Sequence, residues 1–516
     1  MKNRLQASAA LALAGVLAPA VVAIQPAEAQ TFTTLASFDG TEGANPAALL
    51  VQATNGNLYG TTQLGGTSSF GSYGTIFEIT PGGTLTAVYS FCLMSGCPDG
   101  FNLPAGLVQA TNGYLYGTTE NAGINSNCCG TVFKITPSLT LTTLDSFDIG
   151  DGSGPYPTAG LVQASNGYLY GTTVGGGVYG AGTIFRMTPG GTLSTIYSFC
   201  PLPAPACPST DSLANGWMPM AGLVQATNGD LYGTTSGGGT NSGGGAYGPG
   251  TVFKITPGGV LTTLYSFCSK TDSQNDCLDG YTPVATLVQA TNGYLYGTTL
   301  GGGANNAGTI FRISPSGTLK TIYNFCSQSA CTDGAQGGYA APALIQATDG
   351  NLYGTVPYGG ATGGGTSTLG FGTIFKIGPS GGLTTIYTFC MESGCLDGGR
   401  PFGGLVQDTN GMFYGTTSIG GTNSPADGTV FSLSLGLGPF VKTLPSAAVA
   451  GAAVKILGSD LAGATAVSFN GTAAAFTVVS RYLITTTVPA GATSGVVKVA
   501  TPSGTLSSNV GFQVLP

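Results

Sequence analysis

The chain has 516 residues and a formal net charge of -7; 88 residues are Gly and 29 Pro, none is His, 7% are charged and 42% hydrophobic. Lack of His excludes Ser-His-Asp and Cys-His nucleophile systems, His zinc ligands and the imidazole proton shuttle. An acidic chain also lacks the basic face that nucleic acid rewards, while the plentiful Tyr, Phe, Val, Ile and Leu argue for a folded, turn-rich protein rather than a disordered one.

Residues 1–29 place Lys2 and Arg4 before an apolar stretch from about Ala7 to Ile24, then Ala27-Glu28-Ala29 ahead of Gln30. Basic, apolar and small-x-small in that order predict a secretory signal peptide cleaved after Ala29. No later stretch reaches the roughly 20 apolar residues that cross a bilayer. The mature chain is therefore expected to be exported without a membrane span, and to be secreted, periplasmic or on a bacterial cell surface.

Residues 31–38, Thr-Phe-Thr-Thr-Leu-Ala-Ser-Phe, read as a strand with no partner beside it in sequence. A tandem repeat follows, with Leu-Tyr-Gly-Thr-Thr or a near variant carrying its Tyr at 59, 116, 170, 232, 296, 353 and 414, about 59 residues apart. Each unit holds four short runs rich in Thr, Val, Ile, Tyr and Phe bounded by turn residues, which predicts a four-stranded antiparallel meander. Asn-Gly at 55, 112, 166, 228, 292 and 410, with Asp349-Gly350 in the sixth copy, predicts a tight hairpin of type I′ between strands one and two. Pro-Gly-Gly or a Pro-Ser relative joins strands three and four in most copies.

Fourth strands occur at 84–91, 140–147, 192–199, 260–267, 318–325 and 382–389, but the seventh unit runs from Gly428-Thr429-Val430-Phe431 into Leu435-Gly436 without one. The spare strand at 31–38 supplies it. Complementary orphans at the two ends suit a ring that hides its edges and not an open solenoid. The predicted fold is all-β, a seven-bladed β-propeller over residues 30–436 closed by the N-terminal strand. From residue 437 to 516 the composition shifts to Ala, Val and Ser, and strand-length runs at 451–458, 466–472, 482–489, 495–501 and 510–514 predict a small Ig-like β-sandwich.

Ten of the 12 Cys form short-range couples, Cys92/Cys97, Cys200/Cys207, Cys268/Cys277, Cys326/Cys331 and Cys390/Cys395, each just after a fourth strand. Zinc would need four thiolates together, so local disulfides in an oxidising compartment are the simpler reading. The vicinal Cys128-Cys129 is left unassigned.

Chain direction in a meander puts the tight turns on one face and the long, variable 2-3 and cysteine loops on the other, where a partner would dock. That loop face carries Asp39, Glu42, Asp99, Glu120, Asp148, Asp151, Asp211, Asp272, Asp276, Asp279, Asp333, Glu392, Asp397 and Asp427 against Lys270 and Arg400. A charge of about -12 attracts cations and basic groups and repels polyanions. Asp-Gly recurs after the cysteine couples at Asp99, Asp279, Asp333 and Asp397, and Asp39-Gly40 is given the same place. These Asp are candidate Ca²⁺ ligands because hard cations want oxygen donors, but one carboxylate per loop lacks the spacing of a calcium loop, and a loop-closing turn is favoured. The strand-one Gln at 52, 109, 163, 225, 289, 346 and 407 is expected to satisfy backbone groups between blades, and the Tyr before Gly to pack blades. Lys134, Arg186, Lys254, Arg312 and Lys376 share a strand-three position and are expected to form a solvated rim on the tight-turn face.

The unit Leu-Val-Gln-Ala-Thr-Asn-Gly-Tyr-Leu-Tyr-Gly-Thr-Thr followed by Gly-Thr-Ile-Phe resembles the Gloeo/Verruco tandem repeat (GloVer) of exported bacterial proteins, over about four-fifths of the chain. The C-terminal segment, through Val467-Ser-Phe-Asn-Gly-Thr472 and Gly511-Phe-Gln-Val514, is similar to the IPT/TIG immunoglobulin-like domain. The first resemblance implies no established activity; the second implies adhesion, spacing or binding. The expected function is an exported, non-enzymatic binding, adhesion or surface-scaffold protein, monomeric, that meets a glycan or protein ligand on its acidic loop face. No cofactor is implied beyond the calcium reading. The alternative is a carbohydrate-active hydrolase or lyase using non-repeated loop acids such as Glu42, Glu120, Asp211 or Glu392 as a pair about 5–10 Å apart.

Overall fold

Runs of Thr, Val, Ile, Tyr and Phe too short for helices, punctuated by Gly and Pro, leave each repeat little choice but a meander. The computed structural model describes residues 30–124, 129–148, 152–200, 215–241, 248–333, 343–360, 370–391, 393–423 and 427–516. Residues 1–29, Cys128, Asp151, Cys207, Asp211 and Glu392 lie outside them. In the fourth repeat Val224–Gln225, Leu231–Thr235, Thr251–Ile255 and Leu261–Ser266 pair in sequence order as one antiparallel sheet, and the same four-strand order recurs in the other repeats. The last repeat takes its fourth strand from the N-terminus: Thr31–Ser37 runs antiparallel to Thr429–Ser434, from Thr31 opposite Ser434 to Ser37 opposite Thr429. The result is a propeller-like array of four-stranded sheets.

The hairpins are present, but their turns are not type I′. Gly229 donates to Ala226 O and Ala226 to Asp230 O, and only Gly229, at φ +87°, is left-handed. This is a type I turn closed by a left-handed Gly. Asn228 is selected for a different reason: its Oδ1 accepts from Asp230 N and its Nδ2 donates to Tyr232 Oη. Asp349 does the same work with carboxylate oxygens, accepting from Asn351 N and Tyr353 Oη.

Packing between successive sheets repeats as faithfully as the strands. Each fourth-strand Phe meets the third-strand Phe of the next repeat, as in Phe147 on Phe185 at 5.3 Å and Phe199 on Phe253 at 5.6 Å. Phe38 meets Phe77 in the same way at 5.1 Å, joining the N-terminal strand to the first repeat. The Gly of Tyr-Gly-Thr admits this Phe: a Cβ on Gly117 would lie 2.5 Å from Phe133 Cζ and 2.7 Å from Leu107 Cδ2. At the strand ends, hydroxyl pairs such as Thr119 with Thr131, 2.9 Å, satisfy each other in the interior. The sixth repeat has Val356 in place of the first Thr, and Thr373 Oγ1 is left buried with no described partner. Val356→Thr is therefore expected to stabilise the protein by about 1 kcal/mol, read as a higher denaturant midpoint at unchanged m-value.

The C-terminal strands form two facing sheets. One holds Lys442–Leu444, Ala453–Leu457, Leu483–Thr487 and Phe476–Ser480; the other holds Thr472–Ala474, Ala466–Phe469, Val497–Thr501 and Gly504–Ser507. Val454, Ile456, Val467, Phe469, Ile484, Val497, Val499 and Phe512 fill the space between them. Disulfides join Cys92–Cys97, Cys268–Cys277, Cys326–Cys331 and Cys390–Cys395, which fits an oxidising compartment. Cys129 and Cys200 are also disulfide-bonded. Among the described residues no helix is long and apolar enough to cross a membrane.

Candidate functional site

The inner, first strands of the repeats converge, and the residues that lead into them are held in an unusual way. Asn45, Asn102, Tyr156, Met218, Thr282 and Arg400 occupy one repeat position and have φ between 55° and 64°. Left-handed backbone is rare for non-Gly residues, and rarest for a β-branched one such as Thr282. Here two hydrogen bonds impose it. Arg400 N donates to Phe371 O of the preceding repeat, and Arg400 O accepts from Ser418 N of its own. Asn45 is clamped likewise by Asp427 O and Gln63 N. Backbone geometry thus repeats while the side chains differ, as they do two residues further on at Ala47, Pro104, Thr158, Met220, Val284 and Phe402.

The second set, with Asn45 and Arg400 of the first, lines a cavity of about 810 Å³ at the loop-face mouth of the array, within the range of small-ligand sites. One side of it is chemically distinct. Tyr358 and Phe402 meet edge to face at 6.0 Å, Arg400 lies 5.4 Å over the Tyr358 ring, and Phe402 is 43% exposed. Arg400 Nε is buried with no described hydrogen-bond partner, and no described carboxylate lies within ion-pair reach of the guanidinium. Beside it Asn45 Nδ2 donates to Gln63 Oε1 at 2.9 Å. Asp427 completes this wall, its carboxyl pushed up by burial and then by the charge of Asp39.

The acids singled out in the sequence are placed differently. Asp99 accepts from Tyr89 Oη and Cys92 N, Asp279 from Tyr265 Oη and Ser269 N, Asp333 from Tyr323 Oη and Ser327 N, and Asp397 from Tyr387 Oη and Cys390 N. Each carboxylate closes its own cysteine loop against its own fourth strand, and the four are not brought together. Among the described residues no three Asp, Glu or Cys side chains form a metal-sized cluster. Asp39-Gly40 does not hold the equivalent place. Thr75 Oγ1 donates to Glu42 O as Thr131 Oγ1 does to Asp99 O, so Glu42-Gly43 is the true counterpart. Asp39 instead accepts from Glu42 and Thr41 side chains, which hold it down at about 2, while burial raises Glu42. Glu120 is engaged by Asn102 Nδ2 at 2.6 Å.

The Gln side chains stitch repeat to repeat. Thr54 N donates to Gln109 Oε1, Thr111 N to Gln163, Ser165 N to Gln225, Thr227 N to Gln289, Thr291 N to Gln346, Thr348 N to Gln407, and Thr409 N back to Gln52. The Tyr before Gly is buried, and Tyr116, Tyr170 and Tyr296 bond across repeats to Pro189 O, Pro257 O and Pro379 O, whereas Tyr59 and Tyr353 bond to Glu78 and Asp349 of their own repeats. On the opposite rim Lys134, Arg186 and Arg312 lie over Tyr114, Tyr168 and Tyr294, while Lys254 and Lys376 reach Asp230 and Asp349 at 3.9 Å.

The far end of the first strands is covered by the C-terminal sandwich, a placement the sequence reading missed. Lys455 Nζ donates to Thr111 O and Ser459 Oγ to Thr409 O. Lys442 is half-buried there, donating to Gln407 O and Gln52 Oε1, while Gln52 Nε2 donates to the buried Asp408 at Oδ1. The signal was legible: six repeats have Ala after the Gln, and only the seventh has an acid, Asp408.

Propeller-like repeated sheets carrying a variable mouth, with an Ig-like module at the other end, define an all-β repeat protein. The chain belongs to the Gloeobacter/Verrucomicrobia repeat family, which it matches over residues 18–242 and 239–475, and residues 440–514 match the IPT/TIG domain. No curated protein matches the chain. Among solved structures it is similar to virginiamycin B lyase from Staphylococcus aureus, at 14% identity and a TM-score of 0.47 over 79% of this chain and 100% of that one. It is also similar to a fungal alcohol oxidase of the AA5 family in complex with copper, at 13% identity and a TM-score of 0.47 over 94% and 99%. Likeness at this level says nothing of activity.

Proposed function

We propose that this protein is an exported, non-enzymatic binding protein in which residues 30–436 form a seven-bladed ring closed by the N-terminal strand. Residues 437–516 form the sandwich that covers the tight-turn end, so a glycan or protein ligand enters from the loop face. Ring closure is supported by the Gln chain that returns from Thr409 to Gln52 and by the pairing of Thr31–Ser37 with the last repeat. The observation that carries the binding reading is the mouth itself, where unlike side chains are mounted on like backbone. Such division between rigid frame and variable display suits recognition.

The test is retention of envelope material and glycan-array ligands by the wild type and by Phe402→Ala, which gives the seventh repeat the residue the first carries at Ala47. The wild type is expected to retain ligand and the variant to lose at least tenfold in affinity. Retention that Phe402→Ala leaves unchanged, or none by the wild type, would sink the assignment to the mouth.

A further inference from the structure

Within the mouth the most demanding group is Arg400. Its guanidinium stacks over Tyr358 at 5.4 Å, yet Nε is buried with no described partner and no described carboxylate pairs with it. Arg400 is half-buried and its Nε is left without a described partner, and the anion a guanidinium fits best is planar and bidentate, a carboxylate or phosphate. The walls beside it specify more. Phe402 offers an exposed aromatic face. The Asn45–Gln63 amide pair has one oxygen and one nitrogen without a described partner, and Asp427 supplies acceptor oxygens. Aromatic face, amides and a carboxylate together match the C–H faces and hydroxyls of a sugar ring. The same wall disfavours phosphate, whose second negative charge would face Asp427, and the acidic loops around the mouth disfavour polyanions.

Resting on the binding reading above, we propose that the mouth takes a glycan whose terminal sugar bears a single carboxylate, a uronic acid on an otherwise neutral chain. Its carboxylate pairs with Arg400, and its ring stacks on Phe402.

The experiment is calorimetric titration of the full chain with a neutral oligosaccharide terminated by glucuronic acid and with its glucose-terminated counterpart. Arg400→Asn is the informative variant, because Asn45 and Asn102 already occupy this left-handed position and the backbone tolerates it. The wild type is expected to prefer the acid-terminated sugar by tenfold or more. Arg400→Asn should bind both alike, and Phe402→Ala should weaken both. A preference that survives Arg400→Asn overturns the proposal, as does failure of the wild type to bind the acidic sugar. Equal binding of both sugars that Phe402→Ala abolishes overturns the ligand class while leaving the mouth as the binding site. Envelope retention that Phe402→Ala does not alter overturns both.

Discussion

Asp408→Ala gives the seventh repeat the alanine of the other six, and it is nevertheless expected to destabilise the protein by about 1.5–3 kcal/mol, the usual worth of hydrogen bonds to a charged group. Lys442 is the reason. It enters from the sandwich, is half-buried, and has the buried Asp408 as the charge that favours its ammonium form. Gln52 links the two, accepting from Lys442 and donating to Asp408. Replacing both charges, as Asp408→Ala with Lys442→Met, is expected to restore most of the loss. Buried pairs exchanged for apolar groups of similar size are often neutral. Denaturant unfolding of the two single variants and the double gives the coupling directly. A single variant as stable as the wild type would remove the charge pair from the account of how the sandwich is held.

The same group sets a pH dependence. Burial holds Lys442 down at about 8 from its ordinary 10.5. Between those values the unfolded chain carries a proton that the folded state lacks, so stability rises with pH across that window. Lys442→Met should flatten the rise. Burial also raises Asp408, so over part of the acidic range the folded state keeps a proton that the unfolded chain has released, and stability falls there as pH increases.

Much of this architecture is legible in the residues because it is periodic. Seven Tyr-Gly pairs, seven Asn/Asp-Gly turns and a strand present at the wrong end predict the sheets, their order and the pairing of 31–38 with the last repeat. The departures have specific causes. Asn-Gly marks the hairpin correctly but for the wrong turn, because Asn112 and its counterparts work through side-chain hydrogen bonds and only the Gly needs positive φ. Asp39 shares with Asp99 the Asp-Gly dipeptide after a fourth strand, but the structural register counts back from Leu50 and Leu107, which pairs Glu42 with Asp99. Arg400 and Phe402 carry no motif. Both sit at the mouth because two loop hydrogen bonds hold Arg400 in left-handed backbone, and nothing in an Arg-Pro-Phe sequence announces it. Asp408 was visible as a break in a sevenfold pattern, but its meaning depends on Lys442, 34 residues away and on another sheet.

Phe38→Ala is expected to cost about 3–5 kcal/mol, as large as a core Phe truncation elsewhere, although Phe38 lies near the chain's N-terminal end. Its ring has no exposed surface and meets Phe77 edge to face at 5.1 Å, and its N–H donates to Gly428 O. It thus belongs to both the first and the last repeat, in a cluster with Leu50, Leu58, Ile79, Tyr414 and Val430. Phe147→Ala is the matched control, since Phe147 meets Phe185 at 5.3 Å between the second and third repeats. An open array would fray at its ends, and a terminal strand would separate at little cost to the rest. In a closed ring no repeat is terminal, the first and last sheets protect each other, and a cavity at their seam weakens the whole as much as one elsewhere. Equal losses for Phe38→Ala and Phe147→Ala, with a single unfolding transition in both, are the expected result. A small loss at Phe38, or an early transition confined to strand 31–37, would mean that the seam is a contact between ends and that the ring does not unfold as one unit.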